Sequence, residues 1–333
     1  MMRMTVLASG SKGNSTVISS SRTRVLVDAG LSCRELMKRM MIAGEDPAAL
    51  DAILITHEHQ DHVAGLGVLA RKLGIPVYLT EPTHRAWVRM ITPRRTMSYA
   101  EWLDRVQQEK AERAQTAALE AAGAVLGICD SMSAAVESAT CSSEDDTEDP
   151  DEVETRQQER AKPDPAFLPS VEYFHSGRQF SIGDIEIMPF TIPHDAADPC
   201  GFVFAAEGAR MAVATDLGYM PPNVKAALKR IDVLLLESNH DLEMLKDGPY
   251  PWSVKQRVLS RVGHLSNLAT AEFLEQDYDG TASFIVLGHL SESNNAPELA
   301  RLAAEQALAG HPTLLGNRIL LAEQSAPLEP ICL

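Results

Sequence analysis

Three histidines and an aspartate lie close together in the first fifth of the chain. His57, His59, Asp61 and His62 form an H-x-H-x-D-H pattern directly after the apolar stretch 53–55, which is typical of a buried strand. Alternate residues of an extended segment point the same way, so His57 and His59 can bind one metal ion while Asp61 and His62 turn toward a second. The alternative is a polar loop that happens to be rich in histidine. The predicted buried strand before the pattern argues against it, because metal-ligand loops typically follow such strands. We therefore interpret these four residues as metal ligands.

Five predicted strands each end at a carboxylate or an imidazole. These residues are, in chain order, Asp28, His194, Asp216, Glu237 and His289. Singly, such a residue is more often a helix cap or a hydrogen-bonded polar group than a ligand. Together they indicate ligands on loops along one rim of a rigid sheet. Asp28 has two open roles: it can orient a metal-bound histidine, which we favour, or cap a predicted helix over 33–41.

The loop 9–15 is rich in glycine, serine and asparagine. Ser9, Ser11, Lys12 and Asn14 lie in it, and small residues of this kind let backbone N–H groups converge on an anion such as phosphate. The same composition is typical of a plain turn between two strands. The residues by themselves do not decide between these interpretations.

Strands and helices alternate through most of the chain, which predicts an α/β fold. Examples are predicted strands over 4–8 and 76–80 and a predicted helix over 64–73. From residue 95 to residue 168 the character changes: 99–122 is typical of a solvated helix, and 138–165 is too polar to offset the entropy of ordering it. We predict one domain built from residues 1–94 and 169–333, interrupted by a helical and acidic insertion at 95–168 with a disordered centre.

Composition limits the classes of function. The net charge is −16, which argues against a large basic surface for nucleic acid. Ten acids and three bases lie between 141 and 164, however, and bound divalent cations would add positive charge where a phosphate needs it. No apolar run is long enough for a membrane span, so we expect a soluble, cytoplasmic protein. The five scattered cysteines lack zinc-knuckle spacing, and we expect reduced thiols.

Six blocks of sequence extend the pattern beyond single ligands. They are A-S-G-S-K-G-N-S at 8–15, A-T-D-L-G-Y at 214–219, E-S-N-H-D at 237–241, G-P-Y-P-W-S at 248–253, G-H-L-S-N at 263–267 and G-H-L-S at 288–291. With the ligand order above, they resemble the metallo-β-lactamase fold superfamily of metal-dependent hydrolases, and within it the bacterial YycJ/WalJ branch. The resemblance covers about residues 1–90 and 171–300, and the insertion departs from it.

The resemblance implies a fold and a set of residue roles. The fold is an αββα four-layer sandwich with a dinuclear site between the inner sheet edges. His57, His59 and His194 would hold the first metal and Asp61, His62 and His289 the second, with Asp216 between them. Asp28 matches the first acid of the fold. Glu237 and His264 match a glutamate and a histidine of the similar tRNA 3′-processing endonucleases.

Such a site predicts hydrolysis of a phosphodiester. Two metals lower the pKa of a shared water and neutralise charge on the attacked phosphate. Asp61 can aim or deprotonate the water, and His264, oriented by Glu237, can bind a phosphate oxygen or protonate the leaving group. Histidine and carboxylate ligands suit zinc, manganese and iron alike.

The resemblance to the YycJ/WalJ branch implies a 5′-to-3′ DNA exonuclease, with nucleic acid as substrate. Two alternatives stay open. One is a hydrolase of a small ester, thioester or cyclic phosphodiester, and the other is a non-catalytic regulatory protein with a structural metal site. Two further features have uncertain roles: His240 can approach the site, and Tyr250 and Trp252 can stack on bases, although we expect them to anchor their loop to the core.

Overall fold

The computed structural model describes residues 1–92, 164–310 and 316–333, with the isolated positions Leu103, Gln107 and Lys110. Two seven-stranded sheets form the framework of these residues. The strands are β1 (Arg3–Ala8), β2 (Ser15–Ser19), β3 (Arg24–Val27), β4 (Ala52–Leu54), β5 (Val77–Leu79), β6 (Val171–Tyr173), β7 (Phe180–Ile182), β8 (Ile185–Thr191), β9 (Cys200–Ala206), β10 (Ala209–Ala214), β11 (Val233–Glu237), β12 (Phe284–Gly288), β13 (Arg318–Leu321) and β14 (Ile331–Cys332).

The two sheets share one pattern of strand directions. The first sheet has the order β14-β1-β2-β3-β4-β5-β6 and the second β13-β12-β11-β10-β9-β8-β7. Each sheet has three antiparallel and three parallel pairings. In the orders given, the antiparallel pairings come first in the first sheet and last in the second, and the two parts meet at β3 and at β10. Parallel strands bring their carboxyl ends to one edge, where loops can share a site.

Helices cover the outer face of each sheet. They are α1 (Cys33–Ile42), α2 (Gln60–Val63), α3 (Leu66–Leu73), α4 (Glu81–Ile91), α5 (Pro222–Ala227), α6 (Leu242–Asp247), α7 (Trp252–Val258), α8 (Asn267–Gln276) and α9 (Pro297–Leu308), with a short 3₁₀ helix at Pro47–Ala49. Ser32, whose hydroxyl accepts from the Glu35 N–H, caps α1. The cap that we considered for Asp28 is therefore supplied by another residue.

The predicted helix over 64–73 is shorter than expected. The structure has two helices here, α2 and α3, which break at Gly65. The Gly65 N–H donates to the carbonyl of Ala29, and a Cβ at Gly65 would lie 2.2 Å from the carbonyl oxygen of Leu31. This close approach of backbone fixes the break. Asp61 and His62 consequently lie on a helical turn and not in an open loop.

Three apolar layers make the fold an αββα sandwich. One layer lies between the two sheets, and each of the others lies between one sheet and its helices. Strand β11 shows how the sequence builds them: Val233 and Leu235 enter the central layer, whereas Leu234 and Leu236 pack toward the helices. Successive side chains of a strand point to opposite faces, so a strand buried on both sides is apolar throughout. The predicted fold class is confirmed.

The ligand-bearing loops follow strand ends on the facing edges of the two sheets. Asp28 follows β3, Asp216 follows β10 and His289 follows β12, and their φ angles are 60°, 64° and 56°. Non-glycine residues rarely adopt positive φ, and such backbone strain is concentrated at functional sites.

Most of the predicted insertion lies outside the described residues. Residues Met1–Thr92 and Pro163–Leu333 form one compact unit, and Leu168 is already packed against the helix-facing core of the first sheet. The division at 94 and 169, and the helical and acidic character of 95–168, remain predictions. Among the described helices, none is long and apolar enough to cross a membrane.

Candidate metal centre

The structure brings all seven predicted metal ligands together. Within the described residues, four overlapping groups of side chains place their ligand atoms within 4.8 Å of one another. The groups are His57, His59 and His194; His57, His62 and Asp216; Asp61, His62 and His289; and Asp216, Glu237, His264 and His289. The first and third are the trios that the resemblance implied for two metals, and Asp216 belongs to a group on either side.

Three imidazoles surround the first position. The ring centroids of His57, His59 and His194 lie 4.7, 5.0 and 4.9 Å apart, and each pair meets edge to face. The Nε2 atom of His194 lies 3.2 Å from Nδ1 of His59. Three ring nitrogens thus converge on one point, as a tetrahedral site with an open position requires.

A mixed trio surrounds the second position. Oδ2 of Asp61 lies 3.5 Å from Nε2 of His62 and 3.6 Å from Nε2 of His289. The Asp216 carboxylate lies between the two positions, with Oδ2 3.3 Å from His62 Nε2 and Oδ1 3.9 Å from His194 Nε2. Oδ1 also lies 3.3 Å from Nδ1 of His289, so the Asp216 carboxylate contacts histidines of both trios.

In each imidazole of the two trios, one ring nitrogen contacts the protein and the other faces the centre. The outer contacts are His57 Nδ1 with Thr56 Oγ1, His59 Nε2 with the Asp195 carbonyl, His62 Nδ1 with Asp28, His194 Nδ1 with the Gly263 carbonyl and His289 Nδ1 with Glu237. Such contacts fix the tautomer and leave the other nitrogen for a metal. His59 is the exception in orientation, since its Nδ1 faces the centre.

Asp28 contacts a histidine of the ligand pattern, as the orienting role that we favoured requires. Its Oδ2 lies 2.8 Å from Nδ1 of the fully buried His62, and its Oδ1 accepts from the backbone N–H of Thr56. The Thr56 hydroxyl lies within 3.2 Å of Asp28, His57 and His62. Thr56 therefore links both trios. The sequence analysis did not single it out, although it directly precedes the ligand pattern.

Several buried side-chain atoms have no hydrogen-bond partner among the residues that the structure describes. They include His57 Nε2, Asp216 Oδ2 and His289 Nε2, one atom from the first trio, one from the bridging aspartate and one from the second trio. Buried polar atoms are almost always paired. All three point into the cluster and are the donor types that divalent cations accept, so the residues present fit metal binding.

The charges of the cluster balance one another. Burial raises the pKa of Asp61 and Asp216, but the neighbouring histidines outweigh burial and hold both pKa values well below the usual range. Burial lowers the pKa of His62 and His289, but the neighbouring carboxylates, with Asp216 the strongest in each case, together outweigh burial and raise both pKa values well above 6.5. Protons on these imidazoles supply positive charge in the metal-free cluster. A bound cation would replace that charge, so metal binding will release the protons.

Glu237 lies beside the second position and contacts two histidines. Its Oε1 is 2.8 Å from Nδ1 of His264 and 2.8 Å from Nδ1 of His289, while its Oε2 accepts from the N–H groups of Leu217 and Leu265. Burial raises its pKa, but the two histidines outweigh burial and lower the value to about 2. Glu237 is therefore ionised, and it holds Nδ1 of His264, whose side chain is 19% exposed.

The loop 9–15 supports the cluster and does not form an anion nest. Its N–H groups at Gly10, Lys12, Gly13 and Asn14 all donate within the protein. Ser9 Oγ accepts from the His289 N–H, and Asn14 Nδ2 donates to Asp61 Oδ2. Ser9 and Asn14 thus contact proposed ligands, and a phosphate-binding role for these two side chains remains a prediction.

The two exposed residues of the same loop differ from Ser9 and Asn14. Lys12 is exposed and pairs with Glu292, and Ser11 is also exposed. A phosphate-binding role for Lys12 and Ser11 remains a prediction.

Of two further residues, Trp252 differs from expectation and His240 does not. Trp252 is 67% exposed, so its ring does not anchor the loop to the core as we expected. His240 is buried and belongs to none of the ligand groups, and burial lowers its pKa to about 4.

Comparison with known proteins agrees with this site. Residues 8–112 match the family described as Metallo-beta-lactamase superfamily, and residues 146–289 match the Beta-lactamase superfamily domain. Exodeoxyribonuclease WalJ of Streptococcus pneumoniae is 31% identical over 92% of this chain and 88% of its own length. Exodeoxyribonuclease YycJ of Bacillus anthracis is 32% identical over 92% of this chain and 89% of its own length.

A solved structure shows the same fold. The metallo-β-lactamase fold protein YhfI from Bacillus subtilis aligns with a TM-score of 0.59 and 13% identity, over 99% of this chain and 100% of that chain. Two facing sheets with a histidine and aspartate cluster at their edge define a metal-dependent hydrolase, and the chain belongs to the metallo-β-lactamase superfamily. Within it, the chain belongs to the branch that includes WalJ and YycJ, as the motif blocks predicted.

Proposed function

We propose that this protein is a dinuclear metal-dependent phosphodiesterase that acts on nucleic acid as a 5′-to-3′ DNA exonuclease. The observation that carries the proposal is a single cluster with seven ligand side chains and, at its solvent edge, an imidazole held by an ionised glutamate. Structural zinc sites are closed by four ligands and need neither feature. The names of the relatives, both exodeoxyribonucleases, support DNA as the substrate. The proposal places the protein in the cytoplasm with its substrate.

The ligands present suit two divalent cations. His57, His59 and His194 would hold one, Asp61, His62 and His289 the other, and Asp216 both. Zinc, manganese and iron all accept this donor set. When bound, the cations supply Lewis acidity toward water and positive charge toward the phosphate.

The chain's own groups supply proton transfer and orientation. The Asp61 carboxylate is ionised and receives a hydrogen bond from Asn14, which aims it toward the cluster. It can accept a proton from the attacking water. His264 is 19% exposed, and with Nδ1 turned to Glu237 it presents Nε2 to solvent. From there a protonated Nε2 can donate to the departing 3′ oxygen, while Glu237 stabilises the charged ring.

End-labelled DNA tests the proposal directly. Metal-stripped protein, reloaded with manganese or zinc, is incubated with single- and double-stranded DNA labelled at the 5′ or 3′ end. We expect stepwise release of mononucleotides from 5′ ends, and loss of this activity in Asp61→Asn. Asp184→Asn is the matched control, because Asp184 is also a partly buried, hydrogen-bonded carboxylate but contacts Ser20, Thr23 and Arg22 instead of the cluster.

Other outcomes separate the alternatives. Release of mononucleotides from 3′ ends would overturn the proposed 5′-to-3′ polarity but would still support a nuclease. Turnover of a small ester, thioester or cyclic phosphodiester without DNA cleavage would favour the small-substrate hydrolase. Metal binding with no hydrolysis of any of these substrates would favour the non-catalytic alternative.

A further inference from the structure

An arginine lies beside the first trio of histidines. Arg257, on α7, donates from Nε and Nη2 to the two carboxylate oxygens of Asp195, at 2.5 and 3.2 Å. Asp195 follows the ligand His194 in the chain, and its Oδ1 lies 3.4 Å from Nε2 of His194. A single carboxylate therefore separates the guanidinium from the proposed metal ligands.

The Asp195 pair does not use all the donors of Arg257. A guanidinium has five N–H donors in a planar fork, and Asp195 accepts from Nε and Nη2. The Arg257 side chain is 57% exposed. The nearby Lys255 differs: it is buried, and its Nζ donates to the Lys246 carbonyl, so it serves the fold. Arg257 can bind a second anion from the solvent side without leaving Asp195.

The segment that carries Arg257 is basic in an acidic protein. Residues 252–262 contain three bases and no acid, whereas the whole chain has a net charge of −16. The segment is also tied to the site by its backbone. The Val262 carbonyl accepts from the Asp195 N–H, and the Val258 carbonyl accepts from the His264 N–H. Arg257 and the proposed acid His264 are thus held on one structural unit.

Lys12 offers a contrast on another loop near the site. Its ammonium pairs with Glu292, and 69% of the side chain is exposed. No hydrogen bond of Lys12 or Glu292 among the described residues reaches a proposed ligand. By comparison, Asp195 supports Arg257 with its carboxylate and contacts His59 through its carbonyl. Unlike Lys12 and Lys255, Arg257 is tied to the cluster through a carboxylate that contacts a proposed ligand.

We propose that Arg257, held by Asp195, forms a phosphate-binding site for the nucleic-acid backbone next to the scissile phosphodiester. This inference rests on the proposed function, since it adds a contact to the same substrate. A planar guanidinium matches the oxygens of a phosphate in two parallel hydrogen bonds. Asp195 lies between Arg257 and the proposed metal ligands. The phosphate that Arg257 binds is therefore the neighbour of the phosphodiester that is cleaved. Arg257 is a positioning residue and does not touch the reacting atoms.

The test compares two substrates and two arginines. Arg257→Ala and Arg257→Lys are assayed on a single-stranded oligonucleotide and on bis(p-nitrophenyl) phosphate, a small diester without a neighbouring phosphate. Arg22→Ala is the matched control, because Arg22 is exposed and paired with Asp184 but lies on the turn before β3, whereas the ligand loop follows that strand. Unchanged thermal unfolding midpoints verify that each variant is folded.

We expect Arg257→Ala to lower kcat/KM on the oligonucleotide about tenfold or more, mainly through KM, because a phosphate contact is lost. The slope of log binding constant against log salt should become shallower by about 0.7, the value for one single-strand phosphate contact. Arg257→Lys should recover part of the loss. Hydrolysis of the small diester should change less than twofold, and Arg22→Ala should match wild type in both assays.

Three results would overturn the inference. An unchanged KM and salt slope in Arg257→Ala, with DNA cleavage by the wild-type protein, would refute the phosphate contact alone. An equal loss on both substrates would show that Arg257 acts through the metal cluster. Wild-type protein that hydrolyses the small diester but neither binds nor cleaves DNA would overturn the proposed function as well.

Discussion

Glu237→Gln is the substitution that tests the site most sharply. Glutamine has the shape of a protonated glutamic acid, so the change removes the charge while it keeps the volume. In the structure the Glu237 carboxylate accepts from Leu217 and Leu265 on one oxygen and contacts His264 and His289 on the other. If the amide oxygen keeps the two backbone bonds, its NH₂ group faces the two Nδ1 atoms. Both rings must then shift their proton to Nε2, which spoils His289 as a ligand.

The size of the effect on stability follows from the pKa of Glu237. The fall from 4.5 to about 2 corresponds to about 3 kcal/mol of preference for the charged form in the folded, metal-free protein. The folded-state pKa lies below the unfolded value, so this stabilisation is complete above pH 4.5 and is lost as the pH falls toward 2. The group is fully buried, and solvent screening does not reduce the figure. The substitution should cost about that much at pH 7.

The effect on catalysis should be larger than the effect on folding. Removing the partner that orients a ligand costs about 10–100-fold in metal affinity or activity, and a catalytic histidine in the wrong tautomer costs more. We expect kcat on DNA to fall at least 100-fold. The assays are urea unfolding of the metal-free protein, metal content after dialysis, and exonuclease rate at saturating metal.

Glu45→Gln is the matched control. Glu45 is a second buried glutamate, and it contacts Arg3 and Thr5 away from the cluster. We expect this variant to lose stability and to keep both metal and kcat. If Glu237→Gln loses stability but keeps metal content and rate as Glu45→Gln does, then Glu237 is only structural and the tautomer argument is wrong.

Three further predictions concern metal, backbone and thiols. Chelation should lower the thermal unfolding midpoint, and added zinc or manganese should restore it. A ligand that binds only the folded state stabilises that state by about 3–4 kcal/mol at 100–1,000 times its Kd. An unchanged midpoint would contradict a metal site. Gly30→Ala should reduce bound metal, measured by elemental analysis, because a Cβ there would lie 1.7 Å from the Asp61 carbonyl oxygen, whereas Gly310→Ala, with nothing within 4 Å, should not. Burial raises the pKa of the Cys200 thiol to about 12, so this thiol stays protonated at pH 8. Iodoacetamide should therefore modify the exposed Cys332 before Cys200. Peptide mass spectrometry that shows the reverse order would mean that β9 opens.

Much of the architecture could be predicted from local patterns. Strand β11 is apolar at every position before Glu237, and a strand of that kind must be buried on both faces. The same logic predicts β4, which ends at Leu54, shortly before His57. Helix boundaries were less predictable, because the break at Gly65 depends on how close the Leu31 carbonyl lies, a contact between residues far apart in the sequence.

The loop 9–15 shows why some site roles could not be predicted. Its composition suits both a turn and an anion nest, and the choice depends on partners elsewhere in the chain. Gln324 accepts from the Lys12 N–H and donates to the Gly13 carbonyl, while Ser9 supports His289. These partners are about 280 to 312 positions away. No local signal in the sequence identifies them.

The sequence by itself determined which residue types face the metal. The H-x-H-x-D-H spacing was enough to propose four ligands, and strand ends that meet at one edge indicated five further candidates. The resemblance to a known family then implied which three of those five complete the set of seven. Only the tertiary structure decided how those ligands are held. It gave Glu237 two histidines to orient, turned Nδ1 of His59 toward the centre, and set Arg257 against Asp195. Such contacts join residues from different strands and helices, so they depend on the packing of the two sheets and not on any local pattern.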